Sequence, residues 1–136
     1  MEQQENADVR WRQRFQNFQK ILQLLKNALS IASLDDLQRA GIIQFFEITF
    51  ELGWKVLKDY LEEEGFHEIA TPRSVIKKAF EIGLISNGRG WLKGLDDRNL
   101  TSHTYDELTA QSVEALIRKE YLVLFEELAA SMENRK

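Results

Sequence analysis

The stretch GIIQFFEITFELGWKVLKDYLEEEG, residues 41–65, decides the fold of this 136-residue chain. Its apolar side chains recur every three or four residues, which is the period of an α-helix. We expect this helix to run from Leu34 to about Glu64, with Ser33 as its N-cap and Gly65 at its end. The apolar residues form two stripes about 100° apart around the axis: Ile43, Phe46, Phe50, Trp54, Leu57 and Leu61, and Ile42, Phe45, Leu52, Val56 and Tyr60. Such a helix is either the centre of a bundle or part of a subunit interface.

Helical patterns also flank this stretch, and one proline and seven glycines leave few breaks. No segment alternates as a half-buried strand does. We expect an all-α, antiparallel up-and-down bundle of four main helices plus one short helix, in one domain over residues 1–136 with an ordered core at about 7–132. The other predicted helices are Ala7–Ser30, Pro72–Glu81 after a Thr71 cap, a short Trp91–Asp97 after a loop at 86–90, and a last helix beginning between Thr101 and Thr104 and ending near Met132.

The composition excludes several classes of functional site. The chain has 22 acidic and 18 basic residues, a net charge of −4, and no cysteine. The lack of cysteine excludes disulfides, thiolate zinc sites and a cysteine nucleophile. The acidic balance excludes nucleic-acid binding by bulk attraction, so any such role needs a local basic patch. The longest uncharged run, Asn27–Leu34, is too short to cross a bilayer, and the N-terminus is polar; we expect a soluble cytoplasmic protein.

Most familiar site signatures are absent. The sequence has no phosphate-loop, dinucleotide-binding, HExxH or EF-hand pattern. Its two histidines are His67 and His103, too few for a histidine-rich metal site in one chain. We therefore expect no metal and no cofactor. The glutamates of the central helix favour a solvated, salt-bridged face, in which Glu51 and Lys55 have the supportive four-residue spacing.

One polar segment stands apart, DDRNLTSHTYDE at residues 96–107, because it contains a single aliphatic residue between two apolar helices. On an unbroken helix Arg98 and Tyr105 share a face, but Arg98 and His103 lie about 140° apart. Convergence of the three therefore needs a helix break. Thr101 or Ser102 can cap a new helix there, and Thr104 with Glu107 has capping-box spacing.

Such a break would gather a guanidinium, an imidazole, a phenol and free helix-end amides into a small anion site. We expect the phosphate contacts to come from Arg98, Asn99, Thr101, Ser102, Arg73 and Lys77. Lys78, Arg89 and Lys93 extend the same local basic rim. An alternative stays open, in which the segment is only a cap. In that case Arg98 pairs with Asp96 or Asp97, His103 forms a local hydrogen bond, and Tyr105 packs into the bundle.

The third predicted helix has an apolar face. The residues predicted to face the core there are Val75, Ile76, Ala79 and Phe80.

The spacing Arg98-x4-His103-x-Tyr105 resembles the R-x4–6-H-x-Y signature of HEPN domains, which are helical bundles associated with nucleotides or RNA. The wider sequence resembles one branch of them, the nucleotidyltransferase substrate-binding proteins related to the HepT toxins. The matching blocks span roughly residues 10 to 128 and are 11–20, 41–65, 72–85, Trp91 and 96–107. One departure is Phe45, where a polar or small residue is expected, and it bears on the interface.

The resemblance implies a bundle that commonly dimerises, with the motif residues of two protomers facing one cleft. It also implies a complex with a minimal nucleotidyltransferase encoded beside it. In HepT-like members the helical protein is an RNase toxin, and the partner silences it by transferring AMP to the motif tyrosine, here Tyr105. In other members it supplies the substrate site for the partner enzyme.

Three hypotheses follow. The first is a nucleotide- or substrate-binding subunit of a nucleotidyltransferase. The second is a metal-independent RNase that acts as a dimer, in which His103 of each protomer supplies the acid and the base. Arg98 would then hold the phosphate and Tyr105 would orient it. The third is a structural helical adaptor without catalytic activity.

Overall fold

The fold is known here from a computed structural model, which describes the backbone of residues 2–100 and 107–136 and the side chains of residues 10–99 and 109–136. Within these ranges every regular element is helical. The elements are α1 (Glu2–Leu29), α2 (Asp36–Glu63), α3 (Pro72–Glu81), α4 (Gly88–Leu100), α5 (Glu107–Leu116), a π-helical turn (Ile117–Tyr121) and α6 (Leu122–Glu133). The all-α bundle is therefore confirmed. None of the described helices is both long and apolar enough to span a bilayer.

Side-chain caps set two of the helix starts. Asp35 caps α2, because its carboxylate accepts the Gln38 N–H at 2.7 Å while the Gln38 side chain accepts the Asp35 N–H at 3.0 Å. The prediction that Ser33 is the N-cap was wrong. The reciprocal hydrogen bonds between Asp35 and Gln38 place the start of α2 two residues later than predicted. Thr71 caps α3 as predicted, with the Ser74 N–H at 3.2 Å from its hydroxyl.

The start of α4 differs from the prediction. Residues 88–90 were expected in a loop and the helix only from Trp91, but α4 already begins at Gly88. Asn87 provides the reason, because its side-chain oxygen accepts the Gly90 N–H at 2.9 Å. Its backbone oxygen accepts the Trp91 N–H at 3.2 Å. This capping outweighs the low helix propensity of the two glycines.

Helix α2 is the centre of the bundle, in contact with α1, α3, α4, α5 and α6. It runs antiparallel to α1, where Arg14 Nε lies 2.9 Å from Oδ2 of the buried Asp59. All residues of its first predicted stripe are buried. In the second stripe Ile42 and Val56 are buried, and the aromatic members and Leu52 are half-buried. Both apolar stripes therefore pack as the sequence predicts.

Two glycines let α4 approach α2 closely. A Cβ at Gly94 would lie 2.9 Å from Phe50 Cε2, and a Cβ at Gly53 would lie 3.1 Å from Cη2 of Trp91. The Phe50 and Trp91 rings meet with their centroids 5.3 Å apart. The space that a side chain would need is already filled by these rings, so α4 is held tightly on α2.

Phe80 is the exception among the residues of α3 predicted to face the core. Val75, Ile76 and Ala79 are buried, but the Phe80 side chain is 53% exposed. It follows Ala79 by one residue and so points about 100° away from the buried stripe. There it lies beside Gly88, at which a Cβ would be 2.9 Å from the Phe80 ring.

The π-helical turn brings Tyr121 into the core. Its ring stacks on Phe46 at a centroid distance of 5.3 Å, and its hydroxyl donates a hydrogen bond to Asp97 on α4. Burial, with the neighbouring Asp97 carboxylate, raises the pKa of Tyr121 above its ordinary value. Tyr121 therefore acts as a neutral donor, and its hydrogen bond joins α4 to the π-helical turn between α5 and α6.

We expect Gly94→Ala to lower the free energy of unfolding by about 1 kcal/mol or more, because the new methyl group collides with the Phe50 ring. Gly41→Ala is the matched control on α2, since nothing lies within 4 Å of a Cβ there. It should raise the stability by up to about 1 kcal/mol through helix propensity. Urea unfolding of both variants measures the difference, and equal effects would contradict the close approach of α4 to α2.

Tyr121→Phe should cost about 1 to 2 kcal/mol of stability, because it keeps the ring but removes the donor from Asp97. A double-mutant cycle with Asp97→Asn, followed by urea unfolding, checks the assignment. Tyr121→Phe should cost clearly less in the Asp97→Asn background. Additive effects of the two substitutions would show that the pair does not tie α4 to the π-helical turn.

Candidate anion-binding site

Three consecutive side chains fix the last turn of α4. Because successive helical residues point about 100° apart, they reach three different neighbours. The contacts are Asp96 Oδ1 with Arg73 Nη2 of α3 at 3.2 Å, Asp97 with the Tyr121 hydroxyl of the π-helical turn, and Arg98 Nη2 with Glu51 Oε2 of α2 at 2.5 Å. The place where the chain leaves α4 toward residues 101–106 is therefore set by α2, α3 and the π-helical turn together.

Of the three motif residues Arg98, His103 and Tyr105, Arg98 is the one whose side chain the structure describes. It lies in the last turn of α4, as expected, and its side chain is 32% exposed. The alternative in which Arg98 pairs with Asp96 or Asp97 is wrong in its choice of partner. Those two carboxylates contact other elements, and Glu51 takes their place. Arg98 is thus held at one side and open to solvent in part.

Glu51 is the residue that sequence reasoning missed. Its carboxylate accepts the indole N–H of Trp54 at 3.2 Å on Oε2 and pairs with Lys55 Nζ at 3.2 Å on Oε1. Burial alone would raise the pKa of Glu51, but the bonds from Trp54 and Lys55 and the charge of Arg98 outweigh it and lower that pKa. Glu51 is therefore ionised at neutral pH. The predicted pair with Lys55 is present, and the contact with Arg98 is additional.

The rest of the polar segment is described only in part. Asn99 is exposed near the end of α4. Thr101, Ser102, His103, Thr104 and Tyr105 lie outside the described residues, as do the predicted helix break and the start of the last helix. The meeting of Arg98 with His103 and Tyr105 stays a prediction.

Arg73 and Arg98 lie on different sides of α4. Their partners Asp96 and Glu51 show this, because Asp96 and Arg98 are two residues, or about 200°, apart on the helix. The structure thus does not bring Arg73 beside Arg98. Lys77 lines a separate open groove of about 600 Å³, together with His67 and Lys78.

The predicted basic rim is largely neutralised by acidic partners. Lys93 pairs with Glu120 at 2.9 Å, and Lys78 pairs with Glu81 at 3.1 Å. Arg73 pairs with Asp96 in the same way. These contacts leave less positive potential for a polyanion than the sequence alone indicates.

No group of three or more histidine, aspartate or glutamate side chains within the described ranges could hold a metal ion. His67, the histidine inside those ranges, is exposed and lines its groove with two lysines and two glutamates. An oriented guanidinium such as that of Arg98 can bind an anion through its planar set of donors.

Comparison with known proteins bears on the identity of the chain. A family model described as nucleotidyltransferase substrate binding protein like matches residues 13–134. A curated relative, the probable ribonuclease HepT of Haemophilus influenzae, is 37% identical over 82 residues, which are 57% of this chain and 56% of that protein. The chain thus matches about half the length of this relative.

Two solved structures are similar in fold. A protein from Thermus thermophilus has a TM-score of 0.76 and 36% identity, covering 83% of this chain and 96% of that one. A Haemophilus influenzae protein, described as revealing the fold of a substrate binding domain of a nucleotidyltransferase, has a TM-score of 0.70 and 26% identity, covering 93% and 98%. The resemblance drawn from the sequence blocks is confirmed: the chain belongs to the nucleotidyltransferase substrate-binding protein family.

Proposed function

We propose that this chain is the nucleotide- or substrate-binding subunit of a separately encoded minimal nucleotidyltransferase, and that Arg98 contacts the phosphate of the ligand. The observation that carries the proposal is the Arg98 guanidinium, held by Glu51 at 2.5 Å and 32% exposed at the end of α4. Family membership over residues 13–134 and the structural similarity to a substrate binding domain of a nucleotidyltransferase support it.

The chemistry of the residues fits binding. A guanidinium offers a planar set of donors that matches phosphate oxygens, and its charge does not titrate near neutral pH. The residues that follow it, Asn99, Thr101, Ser102, His103 and Tyr105, supply further polar groups in the sequence. The matching family model is described as substrate binding protein like, so we assign nucleotidyl transfer to the partner and ligand recognition to this chain.

A second copy of the chain completes the proposed site. The outer face of α2 carries an apolar stripe of exposed and half-buried side chains: Leu37, Phe45, Ile48 and Leu52. Leu37 is 82% exposed and Ile48 39% exposed, so two copies could bury this stripe together. Glu51 lies directly beside it, and dimerisation through α2 would bring two Arg98 side chains to one region.

We expect the purified chain to bind AMP and to co-purify with the nucleotidyltransferase encoded beside it. Arg98→Ala should weaken AMP binding about tenfold to hundredfold, because a charged hydrogen bond to phosphate is lost. Arg12→Ala is the matched control, since Arg12 is an exposed arginine on α1. Calorimetric titration measures both, with thermal melting to verify folding. AMP affinity unchanged in Arg98→Ala would refute the proposed site.

The second candidate function is that of a metal-independent RNase. It is favoured by the 37% identity to the probable ribonuclease HepT. Cleavage needs a base for the 2′-hydroxyl and an acid for the leaving oxygen, each contributing about 10²–10⁴-fold. One His103 per protomer supplies both only in a dimer, with Arg98 against the phosphorane. Tyr105 is the acceptor for AMP from the partner.

If this function holds, the chain alone should cleave RNA in the presence of EDTA. Cleavage should disappear in His103→Ala, in Arg98→Ala, and in Ile48→Glu, which should sediment as a monomer because it places a charge in the apolar stripe. With the partner, ATP and magnesium, Tyr105 should gain the mass of one AMP moiety. Absence of cleavage under every condition would exclude the RNase, and absence of AMP binding and of a partner as well would leave the structural adaptor.

A further inference from the structure

The Glu51 carboxylate of α2 pairs with Arg98 of α4, which is the residue proposed to contact the ligand. It lies in the middle of α2 between the buried Phe50 and the half-buried Leu52. Its two oxygens have different partners: Oε1 pairs with Lys55, and Oε2 accepts from both Trp54 and Arg98. This carboxylate lies on the charged face of α2 and is oriented in part from within its own helix.

We propose that Glu51 is the positioning residue of the anion site, which orients the Arg98 guanidinium for its ligand. This inference rests on the proposed function, because it assigns the role of Glu51 through phosphate binding by Arg98. In this proposal Glu51 does not touch the ligand itself. It fixes the direction in which the Arg98 guanidinium points.

The contacts support orientation in particular. The Trp54 side chain is only 8% exposed, so its indole N–H is a fixed donor that holds Oε2 in place. Lys55 holds the other oxygen at 3.2 Å. The carboxylate is thus aligned by two residues of α2, and the planar guanidinium of Arg98 aligns on it at 2.5 Å. A pre-oriented arginine loses less side-chain freedom when an anion binds.

The opposite role would be competition, in which Glu51 occupies Arg98 in place of the ligand. One observation favours positioning. The Arg98 side chain is 32% exposed while the pair is formed, so an anion can approach it without breaking the contact.

The test compares Glu51→Ala and Glu51→Gln with Glu47→Gln. Glu47 is a matched control, because it is a half-buried glutamate one turn earlier on α2. Calorimetric titration with AMP should show affinity about tenfold lower in Glu51→Ala and partly recovered in Glu51→Gln, which keeps an acceptor oxygen. Glu47→Gln should stay within about twofold of the unmodified protein, because Arg98 pairs with Glu51 and not with Glu47.

A second readout reports the orientation directly. The indole N–H of Trp54 gives one of the three tryptophan side-chain signals in a nitrogen–proton correlation spectrum, assigned with Trp54→Phe. The signal should shift when AMP is added to the unmodified protein, and it should lose this response in Glu51→Ala. In Glu51→Gln the response should be retained. Thermal melting of every variant shows the fraction that is folded.

Four outcomes would overturn the inference. Tighter AMP binding in Glu51→Ala would mean competition, and a loss of affinity no greater than the loss of folded protein would mean a structural role. Unchanged affinity in both Glu51 variants, with binding abolished in Arg98→Ala, would overturn the positioning role and leave the proposed function standing. Unchanged affinity in Arg98→Ala would instead remove the proposed function, and the role of Glu51 with it.

Discussion

The close approach of α4 to α2 is the constraint on which the site depends. Gly94 meets the Phe50 ring and Gly53 meets Trp91 at distances that leave no room for a side chain. Arg98 follows Gly94 by four residues, so it projects from nearly the same face of α4, one turn further on. At the helix separation that the glycines permit, its guanidinium reaches the Glu51 carboxylate. Packing in the core therefore sets the geometry of a polar contact near the surface.

The electrostatics of this contact differ from those of a nucleic-acid surface. The chain has a net charge of −4, and Arg73 and Lys93 are paired with acidic side chains. Attraction of a polyanion from a distance is weak under these conditions, and salt screens it further. The proposed ligand binding therefore depends on short-range donors with fixed direction, such as the oriented guanidinium of Arg98. This favours a small anionic ligand over a long nucleic-acid strand.

Local sequence patterns predicted the helices. They failed where a side-chain cap moved a helix start, and where a contact depended on residues far apart in the sequence. The stripes of α2 and the Thr71 cap were predicted because they depend on neighbours within four residues. The early start of α4 was missed because the Asn87 cap outweighs the glycines that follow it. The contact between Glu51 and Arg98 joins residues 47 positions apart. No spacing rule relates such residues until the packing of α4 on α2 is known. The placement of His103 and Tyr105 stays a prediction.

The pairing of Arg98 also bears on the choice between the two candidate functions. A guanidinium that stabilises a phosphorane must respond to charge that develops during the reaction, and this response is strongest when its own charge is not compensated. Here a carboxylate lies 2.5 Å away and is ionised at neutral pH. With Lys55 included, the formal charges of these three side chains sum to one positive charge. Such a cluster suits the binding and orientation of a ground-state phosphate, whereas acid–base cleavage would require a second protomer to supply a second His103. The described geometry therefore favours a ligand-binding subunit.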